Sequence, residues 1–263
     1  DKTFLYVSID GAISETDKKS QKLIYEYLKL AESYFAEVFI IKNKFNRGLA
    51  QNITESISYV FKNHKKIIVV EDDVITSNVF LKFMNDALDF YEDKKKVWHI
   101  NGYNSVSKKN KKDEIFLWRF MNCWGWATWQ DRWLNLELNP DLIIKKFNDK
   151  MIYKFNLDGV ANFWDQVIQN ANGDKKTWAI FWYATIFLNK GICVSPWFSY
   201  VKNIGFDGSG INCEKNIFKN RYQEINNTGE FTGVFNLIED EGAFKIMQKE
   251  YTKPFLKVLI NKI

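Results

Sequence analysis

Residues Ile67–Val74 read IIVVEDDV, in which four β-branched residues run directly into three consecutive acids. Such a run predicts a strand covered on both faces, as in parallel sheets. The carboxylates then lie at the C-terminal end of the strand, where open α/β sheets bind their ligands. Adjacent carboxylates repel one another unless a cation or hydrogen-bond donors offset the charge, and hard oxygen ligands suit Mg²⁺ or Mn²⁺. The stretch therefore predicts a metal and phosphate site. The alternative is a solvated acidic turn that caps the next helix.

The segments around this stretch alternate between strand and helix patterns. Strands and helices joined by short connections are typical of a parallel sheet with right-handed crossovers. We therefore predict an α/β fold with a mostly parallel sheet flanked by helices. The regular segments predicted in this part are strand Thr3–Asp10, helix Thr16–Ala31, strand Glu37–Lys42, a helix from the Asn46–Asn52 segment to Phe61, a helix after the acids that carries Phe83 and Ala87, and strand Lys96–Tyr103.

Beyond Phe116 the pattern becomes irregular and rich in tryptophan, including CWGWATW at Cys123–Trp129. Helical periodicity returns in three segments, a short strand follows, and the glycine-rich stretch NIGFDGSG predicts a loop whose backbone approaches another group closely. These segments are the helices Asp141–Asn148, Val160–Gln169 and Trp178–Leu188, the strand Ile192–Ser195 and the loop Asn203–Gly210.

Composition limits the classes of function. The chain has 263 residues, enough for one large α/β domain, and its ten Trp predict that some rings line a pocket. Lys and Arg outnumber Asp and Glu by 37 to 32, for a net charge of +5. This mild, dispersed bias is compatible with an anionic ligand or an anionic membrane surface, and it argues against nucleic acid as a partner.

Cysteine usage and hydropathy address the cellular compartment. The three cysteines include no CxxC pair, which argues against a disulfide framework or a zinc site and favours a reducing compartment. No uninterrupted apolar segment approaches the roughly 20 residues that cross a bilayer. We expect a cytoplasmic protein with at most peripheral membrane contact.

A second group of polar residues lies before the acidic run. In NRGLAQN, Asn46, Arg47 and Gly48 precede a predicted helix, whose N-terminus favours phosphate, although an ordinary turn is the alternative. Asp10 ends the first predicted strand. Because the carboxyl ends of parallel strands share one sheet edge, we expect Asp10, Asn46–Gly48 and Glu71–Asp73 to converge on a nucleotide diphosphate and a divalent ion.

The order of these motifs carries a family resemblance. SID, NRGLAQN, VVEDDV, INGYN, GWATW and FWD together resemble a metal-dependent inverting glycosyltransferase of the GT-A fold, a Rossmann-like fold for nucleotide sugars. The similarity covers residues 3–210 and points to the N-acetylglucosaminyltransferase I-like family and related bacterial sugar transferases. The resemblance implies that Asp73 binds Mn²⁺ or Mg²⁺ directly, that Asp72 faces the ribose, that Glu71 supports them, and that Asp10 lies near the base or ribose.

The same resemblance suggests residues around the sugar. INGYN corresponds to the part of such enzymes that shapes the donor sugar site, so Asn101 and Asn104 are candidate sugar contacts, with a loop start as the alternative for Asn104. GWATW corresponds to the family's glycine–tryptophan loop. Sugar rings stack on aromatic planes, so Trp126 or Trp129 could contact the donor or acceptor, with packing in the core as an equal alternative.

The family's catalytic base is an Asp that follows a Trp, and two observations disagree on its position here. Local sequence selects Asp165, in Phe163-Trp164-Asp165, with a helix-surface carboxylate as the alternative. Distance to Pro196 selects Trp178, but Ala179 follows it, and alanine cannot take a proton. The other candidates are Asp174 and Asp207. The loop that contains Asp207 could instead fold over donor phosphates, with positive charge from Lys202.

The sequence thus predicts an enzyme with a nucleotide-sugar donor, UDP-linked, and a glycan or glycoconjugate acceptor. We expect a single domain with a nucleotide-sugar-binding half over 1–103, an acceptor-side half over 104–215 and a C-terminal extension over 216–263. A bacterial cytoplasmic enzyme of surface polysaccharide synthesis is the expected context. The alternative functions are a nucleotidyltransferase and a sugar-binding domain without turnover. The second is suggested by Ala179, which stands at an expected position of the base.

Overall fold

The structure is a computed structural model that describes residues 3–205 and 224–252. The chain divides into two compact units. The first is built by the residues up to His64 together with Lys176–Trp178, and the second by Lys65–Lys175 and the chain from Ala179 onward. The organisation into a single domain stays a prediction.

Strands and helices alternate in the first part of the chain and become less regular later. The strands are β1 (Phe4–Ile9), β2 (Glu37–Lys42), β3 (Lys66–Val69), β4 (Val74–Thr76), β5 (Val97–Asn101), β6 (Ile115–Trp118), β7 (Trp126–Trp129), β8 (Ile192–Pro196) and β9 (Val201–Asn203). The α-helices are α1 (Glu15–Ala31), α2 (Leu49–Val60), α3 (Phe80–Tyr91), α4 (Gln130–Trp133), α5 (Pro140–Lys146), α6 (Asp149–Phe155), α7 (Trp164–Ala171), α8 (Ala179–Leu188) and α9 (Glu241–Tyr251).

The first unit contains a βαβ crossover followed by a further helix. β1 and β2 pair in parallel, from Phe4 opposite Glu37 to Ile9 opposite Lys42. A capping box between Ser14 and Asp17 starts α1. The predicted β1, α1, β2 and α2 are all confirmed.

The second unit contains a five-stranded sheet in the order β3-β7-β5-β8-β6. Only β5 and β8 pair in parallel, whereas β3–β7, β5–β7 and β6–β8 are antiparallel. The α/β class is confirmed, but this sheet is mixed, and the expected mostly parallel arrangement is corrected here. The antiparallel pairs arise from β7, which inserts between β3 and β5, and from β6, which pairs with β8 at the other edge of the sheet.

Helices pack against this sheet through largely aromatic side chains. The α3 residues Phe83, Met84 and Tyr91 are fully buried, and Phe83 stacks on Tyr200 with ring centroids 4.1 Å apart. Helix α8 is apolar around its circumference and lies inside the protein, as such helices do. Within the described ranges, no helix combines the length and the apolar character needed to cross a bilayer.

A small two-stranded antiparallel sheet follows the acidic run. β4 pairs with β9, so that Val74 lies opposite Asn203 and Thr76 opposite Val201. This small sheet begins one residue after Asp73 and brings a distant part of the chain against it. The acids are therefore held by a tertiary contact that joins positions about 130 residues apart in the sequence.

Candidate active site

The acids Glu71, Asp72 and Asp73 form a turn between β3 and β4. The turn is closed by a hydrogen bond from the Val74 N–H to the Glu71 carbonyl, at 3.1 Å. Asp72 is exposed, whereas Glu71 and Asp73 are partly buried. The next helix, α3, has Val79 at its N-cap and no side-chain cap. The alternative that this acidic turn caps the following helix is therefore wrong.

Asp73 is held from two directions by the strand that ends at Asn203. Its carbonyl accepts a hydrogen bond from the Ile204 N–H at 2.7 Å, and the next residue, Val74, pairs with Asn203 across β4 and β9. Gly205 packs so closely that a side-chain carbon at that position would overlap Asp73 Oδ2. Asp73 Oδ1, in contrast, is buried and has no hydrogen-bond partner.

The charges in this turn are electrostatically unfavourable in the absence of a counter-charge. Burial, and then the charges of Asp73 and Asp72, raise the pKa of Glu71 from 4.5 to about 7. Burial also raises the pKa of Asp73. Glu71 and Asp73 are therefore stabilised by neutralisation, which either a proton or a cation provides.

A hard divalent cation fits these residues. The unpartnered Asp73 Oδ1 supplies the anionic oxygen that Mg²⁺ and Mn²⁺ prefer. In residues 3–205 and 224–252, no three His, Cys, Asp or Glu side chains gather as a complete set of metal ligands. That is compatible with Mg²⁺ in nucleotide sites, where one or two carboxylates share the ion with phosphates and water.

Asp10 lies in the first unit, at the end of β1, where its carboxylate accepts backbone hydrogen bonds. The N–H groups of Gly11 and Gly48 donate to it at 2.9 Å, and the Arg47 N–H donates to both oxygens, at 2.9 and 3.1 Å. Asn46 donates to the Gly11 carbonyl at 3.0 Å. Asp10 therefore occupies the Arg47 and Gly48 donors that the sequence assigned to phosphate.

The expected convergence of these residues is only partly visible. Asp10, Asn46, Arg47 and Gly48 come together within the first unit, as predicted, and Glu71–Asp73 belong to the second. A shared nucleotide site for the two groups stays a prediction.

Asn101 and Asn104 are buried, and their amides are engaged with the protein. Asn101 Nδ2 donates to the Val194 carbonyl at 3.1 Å and to Ser195 Oγ at 2.7 Å. Asn104 Nδ2 donates to the Pro196 carbonyl at 2.9 Å. Both amides join β5 and the following residues to the end of β8. In this arrangement they support the fold, and the sugar contacts stay a prediction.

Trp126 and Trp129 adopt the core-packing alternative. Their exposed fractions are 0% and 1%, so neither ring presents a face to a ligand. Trp126 stacks on His99 at 5.0 Å, and Trp129 donates to the Leu88 carbonyl at 3.2 Å. Trp124 of the same motif, which the sequence interpretation passed over, is only partly buried and packs edge-on against Tyr103 at 4.6 Å.

The candidate bases fall in different environments. Asp165 is exposed in the first turn of α7, where Asn162 donates a hydrogen bond to it. Asp174 is also exposed, in the turn after α7. Ala179 is the first residue of α8. Asp207 lies outside the described residues.

Sequence reasoning missed Asn203 and Gly205 as partners of the acidic turn. They were assigned to a glycine-rich loop that approaches another group closely, but the sequence did not identify Asp73 as that group. Comparison with known proteins provides no assignment: no protein-family model matches the chain, and no curated protein matches it. Function is therefore inferred from the residues of the site.

Proposed function

We propose that the chain is a metal-dependent inverting glycosyltransferase that moves a sugar from a nucleotide-sugar donor, UDP-linked, to a hydroxyl of a glycan or glycoconjugate. The observation that carries the proposal is Asp73, which follows a hydrophobic strand and keeps one buried carboxylate oxygen without a hydrogen-bond partner. The resemblance of the VVEDDV, INGYN and GWATW motifs to GT-A enzymes selects sugar transfer among the metal-dependent reactions of nucleotides.

The fold assignment is proposed on the same basis. A βαβα segment leads to a strand that ends in the acidic turn, and helices pack against the sheet that contains this strand. Ligands of α/β sheets bind at the carboxyl ends of the strands. We assign this arrangement to the GT-A type, with the mixed sheet as a local variation.

We give the acids the roles that the resemblance to GT-A enzymes implies, and their exposure and burial are compatible with these roles. Asp73 would hold Mn²⁺ or Mg²⁺ through Oδ1, and the exposed Asp72 would face the ribose. Glu71 adds negative charge that a cation would offset. A bound divalent ion supplies the positive charge that stabilises the diphosphate leaving group.

We assign the base to Asp165. A carboxylate must remove the proton of the acceptor hydroxyl as that oxygen attacks the anomeric carbon, and the bond from this carbon to the diphosphate breaks. Asp165 is exposed and follows Trp164, as the family pattern requires, whereas Ala179 offers no proton acceptor. Asp165→Ala should abolish transfer and retain donor binding; full transfer would move the role to another acid.

The cellular setting of the proposal is the cytoplasmic face of a bacterial membrane. The net charge of +5 is compatible with peripheral contact with anionic lipid. Surface polysaccharide synthesis would supply the glycan or glycoconjugate acceptor.

Release of UDP from nucleotide sugars tests the proposal, because water can replace the acceptor. The wild-type protein should release UDP slowly from a matching donor when Mn²⁺ is added and not in EDTA. Asp73→Asn should lower this rate at least about a hundredfold, since it removes the charge that faces the ion. Asp93→Asn, which changes an exposed acid after α3, is the matched control and should retain the rate.

Ala179 occupies one of the two positions expected for the catalytic base and cannot take a proton. The second candidate function is therefore a domain that binds nucleotide sugars without turnover. Such a domain should show a higher melting temperature with UDP and Mn²⁺ but no UDP release from any donor. A nucleotidyltransferase would instead release pyrophosphate from a nucleoside triphosphate and a sugar phosphate. If neither binding nor release depends on Mn²⁺, the transferase proposal is wrong.

A further inference from the structure

Two aromatic residues, Trp124 and Tyr103, lie at the same edge of the five-stranded sheet as the acidic turn. Trp126 of β7 pairs with Val69 of β3 on one side and with Asn101 of β5 on the other, so these residues form one row across the sheet. Two residues beyond this row, β3 has reached the acidic turn, β5 has reached Tyr103, and the chain that enters β7 carries Trp124. The three strands therefore bring the acids and both rings to one edge.

Two glycines allow the chain segments that carry these rings to approach closely. The Gly102 N–H donates to the Gly125 carbonyl at 2.7 Å, which continues the contact between β5 and β7 beyond Asn101. A side-chain carbon at Gly102 would lie 2.5 Å from this carbonyl oxygen, and Gly125 has a φ of +57°, in the left-handed region that favours glycine. The neighbouring rings of Tyr103 and Trp124 are thereby held edge-on, with their centroids 4.6 Å apart.

Buried polar side chains fix the turn that leads to Trp124. Its N–H donates to Asn122 Oδ1 at 2.9 Å, and the Asn122 N–H donates to Asn101 Oδ1. Because His99 Nδ1 accepts the Trp182 indole N–H at 3.2 Å, its Nε2 carries the proton, which it donates to the Asn122 carbonyl at 3.0 Å. His99 and Asn101 are both buried. The sheet itself thus holds Trp124 in place, as a preorganised binding site requires.

Trp124 and Tyr103 also keep part of their surface open to solvent. Both are partly buried, whereas Trp126 and Trp129 of the same motif are completely enclosed. Sugar rings have apolar C–H faces that pack on aromatic side chains, and their hydroxyl groups suit the polar ends of Tyr and Trp. Neighbouring strands lie about 4.8 Å apart, so a sugar whose diphosphate rests on the acidic turn is close to the ring that precedes the next strand.

We infer that Trp124 and Tyr103 form a sugar-binding platform, on which a pyranose ring packs beside the acidic turn. The inference rests on the proposed function and names the residues that contact its sugar. It moves this contact from Trp126 or Trp129, where the sequence predicted it, to two rings that a ligand can touch. The pyranose belongs either to the nucleotide-sugar donor or to the glycan acceptor, and the test distinguishes these sources.

The test compares Trp124→Leu with a matched change at Phe90. Phe90 is also partly buried, also packs edge-on against a neighbouring ring, that of Tyr91 at 4.8 Å, and contacts the same hydrophobic core. It lies near the end of α3, before β5 begins, whereas the platform lies beyond the end of β5. Phe90→Leu therefore controls for the loss of a packed ring away from the acidic turn. Trp124→Phe is a conservative variant that keeps an aromatic face.

Calorimetry in the presence of Mn²⁺ measures the binding of UDP, of UDP-glucose, UDP-galactose and UDP-N-acetylglucosamine, and, with UDP present, of the methyl glycosides of the same sugars. Melting temperatures show whether each variant is folded. We expect Trp124→Leu to weaken the binding of a nucleotide sugar or a glycoside by about 10-fold, since the stacked face and its buried apolar area are lost. Trp124→Phe should lose about threefold. UDP affinity should be retained in both, and Phe90→Leu should retain every affinity.

The outcomes assign the sugar and test the platform. A selective loss for a nucleotide sugar assigns the platform to the donor, and a selective loss for a glycoside assigns it to the acceptor. The platform is overturned if Trp124→Leu binds every sugar probe as the wild type does, or if Phe90→Leu loses as much affinity. If Trp124→Leu does not fold, unchanged affinities in Trp124→Phe overturn it.

Failure of the platform and failure of the proposed function give different results. If the wild-type chain binds UDP but no sugar group adds affinity and no glycoside binds, only the platform is overturned. If UDP does not bind, the transferase proposal is overturned. Glycoside binding that depends on Trp124 would then support the platform as part of a sugar-binding domain, and absence of glycoside binding would overturn the platform as well.

Discussion

At the scale of single residues, Glu71 links the charge of the acidic turn to stability. Its side chain is partly buried beside Asp72 and Asp73, and its pKa is raised to about 7 by burial and by these charges. In the unfolded chain the same carboxyl titrates near 4.5. The folded state therefore holds a proton between these two pH values that the unfolded state has released.

The sign of the pH dependence follows from this difference. The pKa of Glu71 is higher in the folded state than in the unfolded state. Its stabilising contribution to the free energy of unfolding is therefore fully present below pH 4.5 and is lost as pH rises through about 7. We predict that Glu71→Gln, which cannot ionise, is more stable than the wild type above pH 7, by on the order of 1–3 kcal/mol. Below pH 4.5 the two should differ much less.

Urea unfolding in EDTA at several pH values measures this effect. Glu26→Gln is the control, because Glu26 is exposed on α1 and its replacement should give a curve parallel to that of the wild type. A parallel curve for Glu71→Gln as well would show that Glu71 is not buried among negative charges as described.

At the scale of elements, Asp10 ties the end of β1 to the loop that begins α2. Its carboxylate accepts N–H groups from Gly11, Arg47 and Gly48. We predict that Asp10→Ala lowers the free energy of unfolding by about 1–3 kcal/mol, since it leaves backbone donors without partners. Asp10→Asn keeps one acceptor oxygen and should lose less.

Urea unfolding and UDP titration of the same variants separate the two roles of Asp10. Ser14→Ala, which removes the cap of α1, should cost about 1 kcal/mol and serves as a calibrated comparison. If Asp10→Ala unfolds like the wild type but binds UDP more weakly, the carboxylate contacts ligand and does not stabilise the loop.

The elements that the sequence predicts well are those with local signals. β2 is predicted at its observed bounds, Glu37–Lys42, and the predicted core residues Phe83 and Ala87 of α3 are buried. β7 was not predicted, because its four residues stand in an irregular, tryptophan-rich stretch without a recognisable strand or helix period. Its position between β3 and β5 depends on pairing with distant strands, which periodicity does not reveal.

The candidate site likewise has one part with a local sequence signal and another part that depends on contacts between distant segments. The acidic run is recognisable because strand and carboxylates adjoin in the sequence, whereas Asn203 comes beside the acidic turn only through the β4–β9 pairing. The tryptophans of GWATW could not be assigned from residue type, since a ring suits the core and a sugar face equally. Because Trp126 and Trp129 are buried, the structure shows that their rings pack in the core.

At the scale of the whole molecule, the two units differ in how deeply their strands and apolar side chains are buried. The first has a two-stranded sheet, and its helix α1 leaves Leu23, Tyr27 and Leu30 between 64% and 72% exposed. In the second, every residue of β5 and β8 is buried within the five-stranded sheet. Two-stranded sheets with little buried surface are marginally stable alone.

We therefore predict that backbone amides of β1 and β2 exchange hydrogen at least about an order of magnitude faster than those of β5 and β8, because local opening needs less free energy where fewer apolar contacts break. Hydrogen exchange followed by mass spectrometry measures this, at two protein concentrations, since self-association through the apolar side chains of α1 would slow exchange in a concentration-dependent way. Equal protection of all four strands at both concentrations would contradict the prediction. That result would instead favour the single domain expected from the sequence, since residues that open only together form one cooperative unit.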